Sequence, residues 1–280
     1  MKTRKATLND LNRMLEIEES AISGYGYLFE NKEFYFDGIQ NQGEMILAIE
    51  DELPVGMGQY SVLPDGSGWL EILRVHKDYQ RKGAGRSIYQ RYHELAKSTK
   101  APSMAMFTGR RNIASKTLAE LNGLQLKETH LEYSLDLSQS EGLMHDFKQI
   151  KNPDQLFNIF QKHPWGTFMG INRTFFHFNL PVCHWLCEKE MAYSDGENVV
   201  VLGARMLKHR GWYIGYIHGD IRKCIEFCIA RTKKEHLSKL TVSLPETCPS
   251  FIPFFEEAGF VFNAELIVME KQFTSLEKKD

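Results

Sequence analysis

Hydrophobic positions in the first half of the chain switch between the period of a helix and that of a strand. Leu11, Met14 and Leu15 fall on one helical face, and Thr7 with Asp10 three residues on is a helix-start signature. Met45 to Glu50 and Val55 to Leu63 read as strands around the polar Asp51-Glu52-Leu53-Pro54. Pro64-Asp65-Gly66-Ser67-Gly68 is turn chemistry, so an antiparallel hairpin should lead into a strand from Trp69 to Val75. Ile88, Tyr92, Leu95 and Ala96 then share a helical face, and Ser103 to Phe107 reads as a second, parallel strand. Asn112 suits the N-cap of a helix carrying Leu118 and Leu121, Gly123 suits its end, and Leu131 to Leu137 closes the half as a strand.

A polar stretch, residues 139–152, separates this half from one that repeats its order. Gly211-Trp212 opens an apolar strand as Gly68-Trp69 does. A helix (Ile221 to Arg231), a strand (Leu240 to Leu244), an aromatic helix (Phe251 to Ala258) and the stop Gly259-Phe260 follow, mirroring Gly123-Leu124. The second run is shorter, and the shortfall falls where Gly219-Asp220-Ile221-Arg222-Lys223-Cys224 lacks the glycine pair Gly83 and Gly85. The pattern predicts a duplicated α/β unit, residues 1–138 and 153–280 joined by 139–152, with one phosphate loop lost.

Composition narrows the class. With 42% hydrophobic and 25% charged residues the chain can build a core, which sets disorder aside. The net charge of −2 gives no overall field to hold nucleic acid or an anionic membrane. Ala6-Thr7-Leu8-Asn9-Asp10 stands where a secretory signal needs an apolar run, and no stretch is long enough to span a bilayer, so a cytoplasmic protein is expected. The five cysteines all lie in the second half and suit reduced thiols. Cys183 with Cys187 and Cys224 with Cys228 are spaced for one helical face, which favours core packing over a metal site. Lys208, His209, Arg210, Arg231, Lys233, Lys234, His236 and Lys239 make the second half locally basic, as a solvated surface or as a hold for an anionic partner.

The chemistry concentrates at Gln80-Arg81-Lys82-Gly83-Ala84-Gly85-Arg86-Ser87. A loop that enters a helix after a strand presents free N–H groups and the positive end of the helix dipole, which suits a pyrophosphate. Gly83 and Gly85 would let the anion approach, with Arg81, Lys82 and Arg86 adding charge and Ser87 a hydroxyl. An ordinary tight strand-to-helix turn with solvated cations reads the same letters. The loop is no dinucleotide fingerprint, since Ile88 stands where the third glycine belongs, and no Walker loop, since no Gly-Lys-Ser/Thr follows.

The run from Leu73 to Ser87 resembles the acetyl-CoA-binding motif of the GNAT N-acetyltransferases, Q/R-x-x-G-x-G/A after a strand ending in valine. The resemblance covers residues 1–138; the second half is similar to a degenerate copy, as in tandem GNAT proteins. It implies an α/β fold of two GNAT-like domains, each a mixed, mostly antiparallel sheet with flanking helices and a parallel strand pair that splays to admit the acyl-pantetheine arm of acetyl-CoA, the cosubstrate. Carried over, Leu73 and Val75 would meet the arm and thioester, Gln80 to Ser87 the pyrophosphate, and Asn112 the cofactor arm. The Val75 N–H would polarise the thioester carbonyl; an ordinary core valine is the plain alternative.

Transfer to an amine requires its neutral form, and an ordinary alkylamine has a pKa near ~10.4. A base is expected. By period two Glu71 shares a face with Leu73 and Val75, so it is the candidate, with a cross-strand salt bridge as the alternative. His76 is a lesser candidate for a proton shuttle, against a packed or surface histidine. The family often has a tyrosine after the asparagine to protonate the leaving thiolate, but here the places hold Ala119 and, in the second copy, Phe255. Tyr133 could substitute or simply pack. The acceptor, a small-molecule or peptide amine, would be flanked by the aromatic stretch Tyr25 to Phe36 and by Glu30, Glu33 and Asp37, unless that stretch packs on the second domain and those acids are solvated. A non-catalytic acyl-CoA-binding module remains the rival reading.

Overall fold

The computed structural model describes residues 1–22 and 43–273. The aromatic stretch Tyr25 to Phe36, with Glu30, Glu33 and Asp37, lies outside them. The chain forms two compact units: Met1–Met106 with Asn112–Gln125 and Met269–Asp280, and Phe107–Arg111 with Leu126–Val268. Among the described residues no helix is long and apolar enough to cross a membrane.

In the first unit, β1 (Lys2–Lys5), β2 (Glu44–Glu50), β3 (Leu53–Val62) and β4 (Gly68–Val75) run antiparallel in that order. β5 (Ser103–Gly109) joins β4 in parallel, but only at Gly68↔Met104 and Trp69↔Ala105. Beyond Trp69 the ladder stops. Helix α1 (Leu11–Ala21) starts where the Asp10 carboxylate accepts from the Thr7 N–H at 2.8 Å, and it buries Met14 and Ile17 with Met45, Leu47 and Met57 on one sheet face. Helix α2 (Ala84–Ser98) covers the other. A Cβ on Gly58 would stand 2.1 Å from the Tyr92 hydroxyl and 2.9 Å from Ile88 Cγ2, so α2 reaches the sheet only because that position is bare. Helix α3 (Ile113–Leu121) ends at Gly123, whose φ of 85° is the left-handed stop anticipated there.

The second unit repeats this order. β6 (Gln125–Asp136) is followed by β7 (Lys148–Gln149), helix α4 (Pro153–Lys162), a two-stranded hairpin of β8 (Phe168–Ile171) and β9 (Thr174–His177), and helix α5 (Leu180–Glu188). Then come β10 (Ala192–Ser194), β11 (Val199–Gly203), β12 (Trp212–His218), helix α6 (Ile221–Lys234), β13 (Lys239–Pro245), helix α7 (Ile252–Glu257) and β14 (Val261–Gln272). β12 and β13 are parallel at Trp212↔Leu240, Tyr213↔Thr241 and Ile214↔Val242, and then they too part. Each unit is thus a mixed, mostly antiparallel sheet with one splayed parallel pair and flanking helices.

The last strand of each repeat lies with the other repeat's residues. β6 closes the first repeat, yet it pairs antiparallel with β13 from Lys239↔Asp136 to Pro245↔His130. The end of β14, from Met269, lies in the first unit, where Phe273 N–H donates to Pro102 O at 2.9 Å.

Candidate active site

The strand pair β3–β4 holds a feature the sequence does not announce. Gln59 lies opposite Glu71 and Met57 opposite Arg74, so Gly58 on β3 faces two residues, Ile72 and Leu73, on β4. This is a bulge, and Ile72 sits in it at φ 44°. A β-branched residue in the left-handed region is strained by about 1–2 kcal/mol. The extra residue also breaks the period of two on which Glu71 was expected to share a face with Leu73 and Val75. Glu71 instead shares its face with Arg74, Trp69 and Gln59, while Val75, opposite Gly56, faces α2.

Hydrogen bonding sets where the main chain of β4 points. His76 N–H donates to Val55 O at 2.9 Å, and antiparallel pairs alternate between bonded and non-bonded, so Val75 and Gly56 form a non-bonded pair. The Val75 N–H therefore points away from β3, to the side from which β5 has parted. Gln80 Nε2 donates to Val75 O at 3.3 Å and Arg74 Nη1 to Leu73 O at 2.9 Å, which fixes the strand end against the loop that follows.

That loop turns through two left-handed positions, Arg81 at φ 61° and Gly83 at φ 97°. α2 then begins, with Ser87 N–H bonded to Gly83 O at 3.0 Å, so the N–H groups of Ala84, Gly85 and Arg86 precede the first helical bond. The two glycines do different work. Nothing stands within 4 Å of a Cβ on Gly83, whereas a Cβ on Gly85 would meet Leu118 Cδ2 at 2.9 Å. Gly83 thus leaves open space, and Gly85 lets α3 approach α2. Arg81, Lys82 and Arg86 are exposed around the helix start, Lys82 with its Nζ 5.0 Å from the Tyr79 ring centre. The Ser87 hydroxyl donates to Ala84 O at 2.8 Å, and Asn112 Oδ1 accepts from Ser115 N–H at 3.1 Å as the cap of α3.

On the other face of β4, Ser61 Oγ donates to Glu71 Oε1 at 2.6 Å. Gln59, 3% exposed, donates from Nε2 to Tyr60 O at 2.9 Å and has no partner for its Oε1. Arg74 Nε is likewise buried without a partner. His76 is turned to the loop, its Nδ1 accepting from Asp78 N–H at 3.4 Å.

Residues 9–123 match the model of the acetyltransferase (GNAT) family. They form a GNAT acetyltransferase domain. The fold of the whole chain is that of GNAT proteins with two such units. A protein from Pyrococcus horikoshii assigned as an acetyltransferase superposes with a TM-score of 0.64 at 17% identity, covering 99% of this chain and 91% of that one. A GCN5-related N-acetyltransferase from Sphaerobacter thermophilus gives 0.61 at 10% identity, covering 97% and 95%. A tandem GNAT protein from the clavulanic acid biosynthesis pathway also gives 0.61 at 10%, covering 97% and 98%. No curated protein matches the sequence.

The second unit, GNAT-like in fold, differs at the strand-to-helix loop. Gly219 keeps a left-handed φ of 98°, but Asp220 follows, its N–H held by Asn198 Oδ1 at 2.6 Å and its own Oδ1 capping Lys223 N–H at 3.2 Å. A carboxylate of the chain itself occupies the α6 N-terminus, and Lys223 Nζ is paired with Asp195 at 2.6 Å. Asp195 is held well below the usual carboxylate range: its bonds to Lys223, Asn198 and Glu197 outweigh the upward push of burial.

At the two places weighed for a tyrosine the chain has no hydroxyl to offer. Ala119 and Phe255 are fully buried, and Tyr133 lies edge-on to Phe262 at 5.5 Å, its phenol raised by burial and by Glu256. All five cysteines are free, and burial pushes Cys183 and Cys224 up to about 12, so both stay neutral thiols. Among the described residues no group of histidine, cysteine or carboxylate side chains could hold a metal.

Proposed function

We propose that the protein is an acetyl-CoA-dependent N-acetyltransferase that moves acetyl to a primary amine by direct attack in a ternary complex. The observation that carries this reading is the open edge of β4 beyond Trp69, with the Val75 N–H turned into it and the strand running into an uncapped helix N-terminus. An extended pantetheine arm would pair with Leu73 and Val75 as an added strand. Its pyrophosphate would meet the N–H groups of Ala84, Gly85 and Arg86, in the space Gly83 leaves free, with Arg81, Lys82 and Arg86 around it.

The Val75 N–H would stabilise the charge that grows on the thioester oxygen as the amine adds. Glu71, oriented by the Ser61 hydroxyl, would take the proton from the attacking nitrogen, directly or through water. The new C–N bond forms, the C–S bond breaks, and CoA leaves as a thiolate that takes a proton from solvent. With an ordinary thiol pKa near ~8.5, it departs without the tyrosine that Ala119 replaces. The acceptor would be an amine carried by a small molecule or a peptide.

Free-thiol release with acetyl-CoA and a panel of amines tests the reading. Amine-dependent turnover that Glu71→Gln lowers by ~10²–10⁴, with acetyl-CoA binding intact, is the expected result. Binding without turnover for any amine would instead make the protein an acyl-CoA-binding module, and trapped acetyl-protein would rule out direct attack.

A further inference from the structure

The splayed pair of the second unit is not open. β12 and β13 part after Ile214↔Val242, and the segment His163–Phe168, which leads from α4 into the first residue of β8, touches both strands and Phe251 just before α7. The His163 ring stacks on His218, at the end of β12, with 3.8 Å between centres, and His163 O accepts from Tyr216 Oη at 2.8 Å. Trp165, 3% exposed, lies 5.9 Å edge-on to Tyr216 and 5.8 Å from Phe251, beside α7. Its carbonyl accepts from Cys248 Sγ at 3.0 Å, just past β13. A Cβ on Gly166 would stand 2.8 Å from Pro245 Cγ, so only glycine passes there. Thr167 and Phe168 N–H donate to the two oxygens of Glu128 at 2.8 and 3.0 Å, and His130 Nε2 lies 2.8 Å from the same carboxylate.

We propose that His163–Phe168 is a built-in occupant of the second unit's acyl-CoA cleft, so that this unit takes no cofactor and each chain binds one CoA thioester, in the first unit. The inference rests on the acetyl-CoA reading above for the first unit alone. The segment would do for β12 and β13 what a pantetheine arm would do for β4 and β5: it bonds to Tyr216 on one side and Cys248 on the other and packs Trp165 between Tyr216 and Phe251. Together with the Asp220 carboxylate on the α6 N-terminus, it removes both halves of the cofactor site, the slot and the anion seat.

Two measurements on the full chain test it. Calorimetric titration with acetyl-CoA should saturate at one equivalent, and Gly83→Trp should weaken that binding at least 100-fold and leave no second class of site. A second equivalent, or undiminished uptake by the Gly83→Trp chain, would overturn the proposal. Hydrogen exchange should show the Thr167 and Phe168 amides as slow as those inside β13, and unchanged by saturating acetyl-CoA. Fast exchange there, or protection gained only with acetyl-CoA, would overturn it as well. No uptake by the wild-type chain would defeat the function proposed above, and exchange at Thr167 and Phe168 would still decide this inference.

Discussion

The Ser61 hydroxyl donates to Glu71 Oε1 across 2.6 Å, from the strand beside the one that carries the carboxylate. A hydrogen bond to a charged group contributes about 1.5–3 kcal/mol, and here it fixes which way the carboxylate faces. Ser61→Ala should therefore lower kcat by about 10–100-fold while leaving the Kd for acetyl-CoA unchanged. Steady-state kinetics beside calorimetry separates the two, and a weakened Kd with normal kcat would contradict the role.

Gly83 and Gly85 should respond differently to the same change. At Gly83, alanine meets open space but must adopt φ 97°, so the cost is conformational, about 1–2 kcal/mol, and acetyl-CoA binding should weaken. At Gly85 the new methyl strikes Leu118, an overpacking cost of about 1–3 kcal/mol. Adding Leu118→Ala should recover part of the loss for Gly85→Ala and none for Gly83→Ala. Thermal melts of the four chains check it.

The N-terminus carries a pH-dependent contact. Hydrogen bonding to Arg4, with Thr7 helping against burial, holds the Asp10 carboxyl at about 2. Because the folded value lies below the unfolded one, near ~3.9, the contribution is complete above about pH 4 and fades as pH falls toward 2. Arg4 is half exposed, so water screens the pair and the contribution should be about 1 kcal/mol or less. Asp10→Asn should lower stability in urea at pH 7 and match the wild type near pH 2.

The exchanged last strands make the repeats dependent on each other. A chain ending at residue 138 has β6 without β13, and a first unit without Met269–Gln272. It should fail to give a cooperative melt, and its amides should exchange quickly. A sharp unfolding transition in that fragment would contradict the prediction.

Much of the first unit was legible because its signals are local. The Asn112 cap, the left-handed stop at Gly123 and the apolar runs of β2 and β3 each depend on a few neighbouring residues. The loop was legible because glycines and cations cluster in it. The bulge was not. It is set by the register between Gln59 and Met57 on one strand and Glu71 and Arg74 on the other, and isoleucine is a poor guide to a left-handed φ. The expectation that Glu71 shares a face with Leu73 and Val75 failed for that reason. His163–Phe168 was equally silent, since its grip depends on Tyr216, Phe251 and Glu128, all far away in sequence. The partner of β6 could not be read either, because an amphipathic strand fits an edge in either unit.

The placement of Met269–Gln272 in the first unit also orders events during synthesis. When the first repeat leaves the ribosome, the strand that lies beside β5 has not yet been translated. At ~5–20 residues per second, that edge stays bare for roughly ten to thirty seconds, long enough to attract other nascent strands. The first unit is completed only once Met269–Gln272 has been translated.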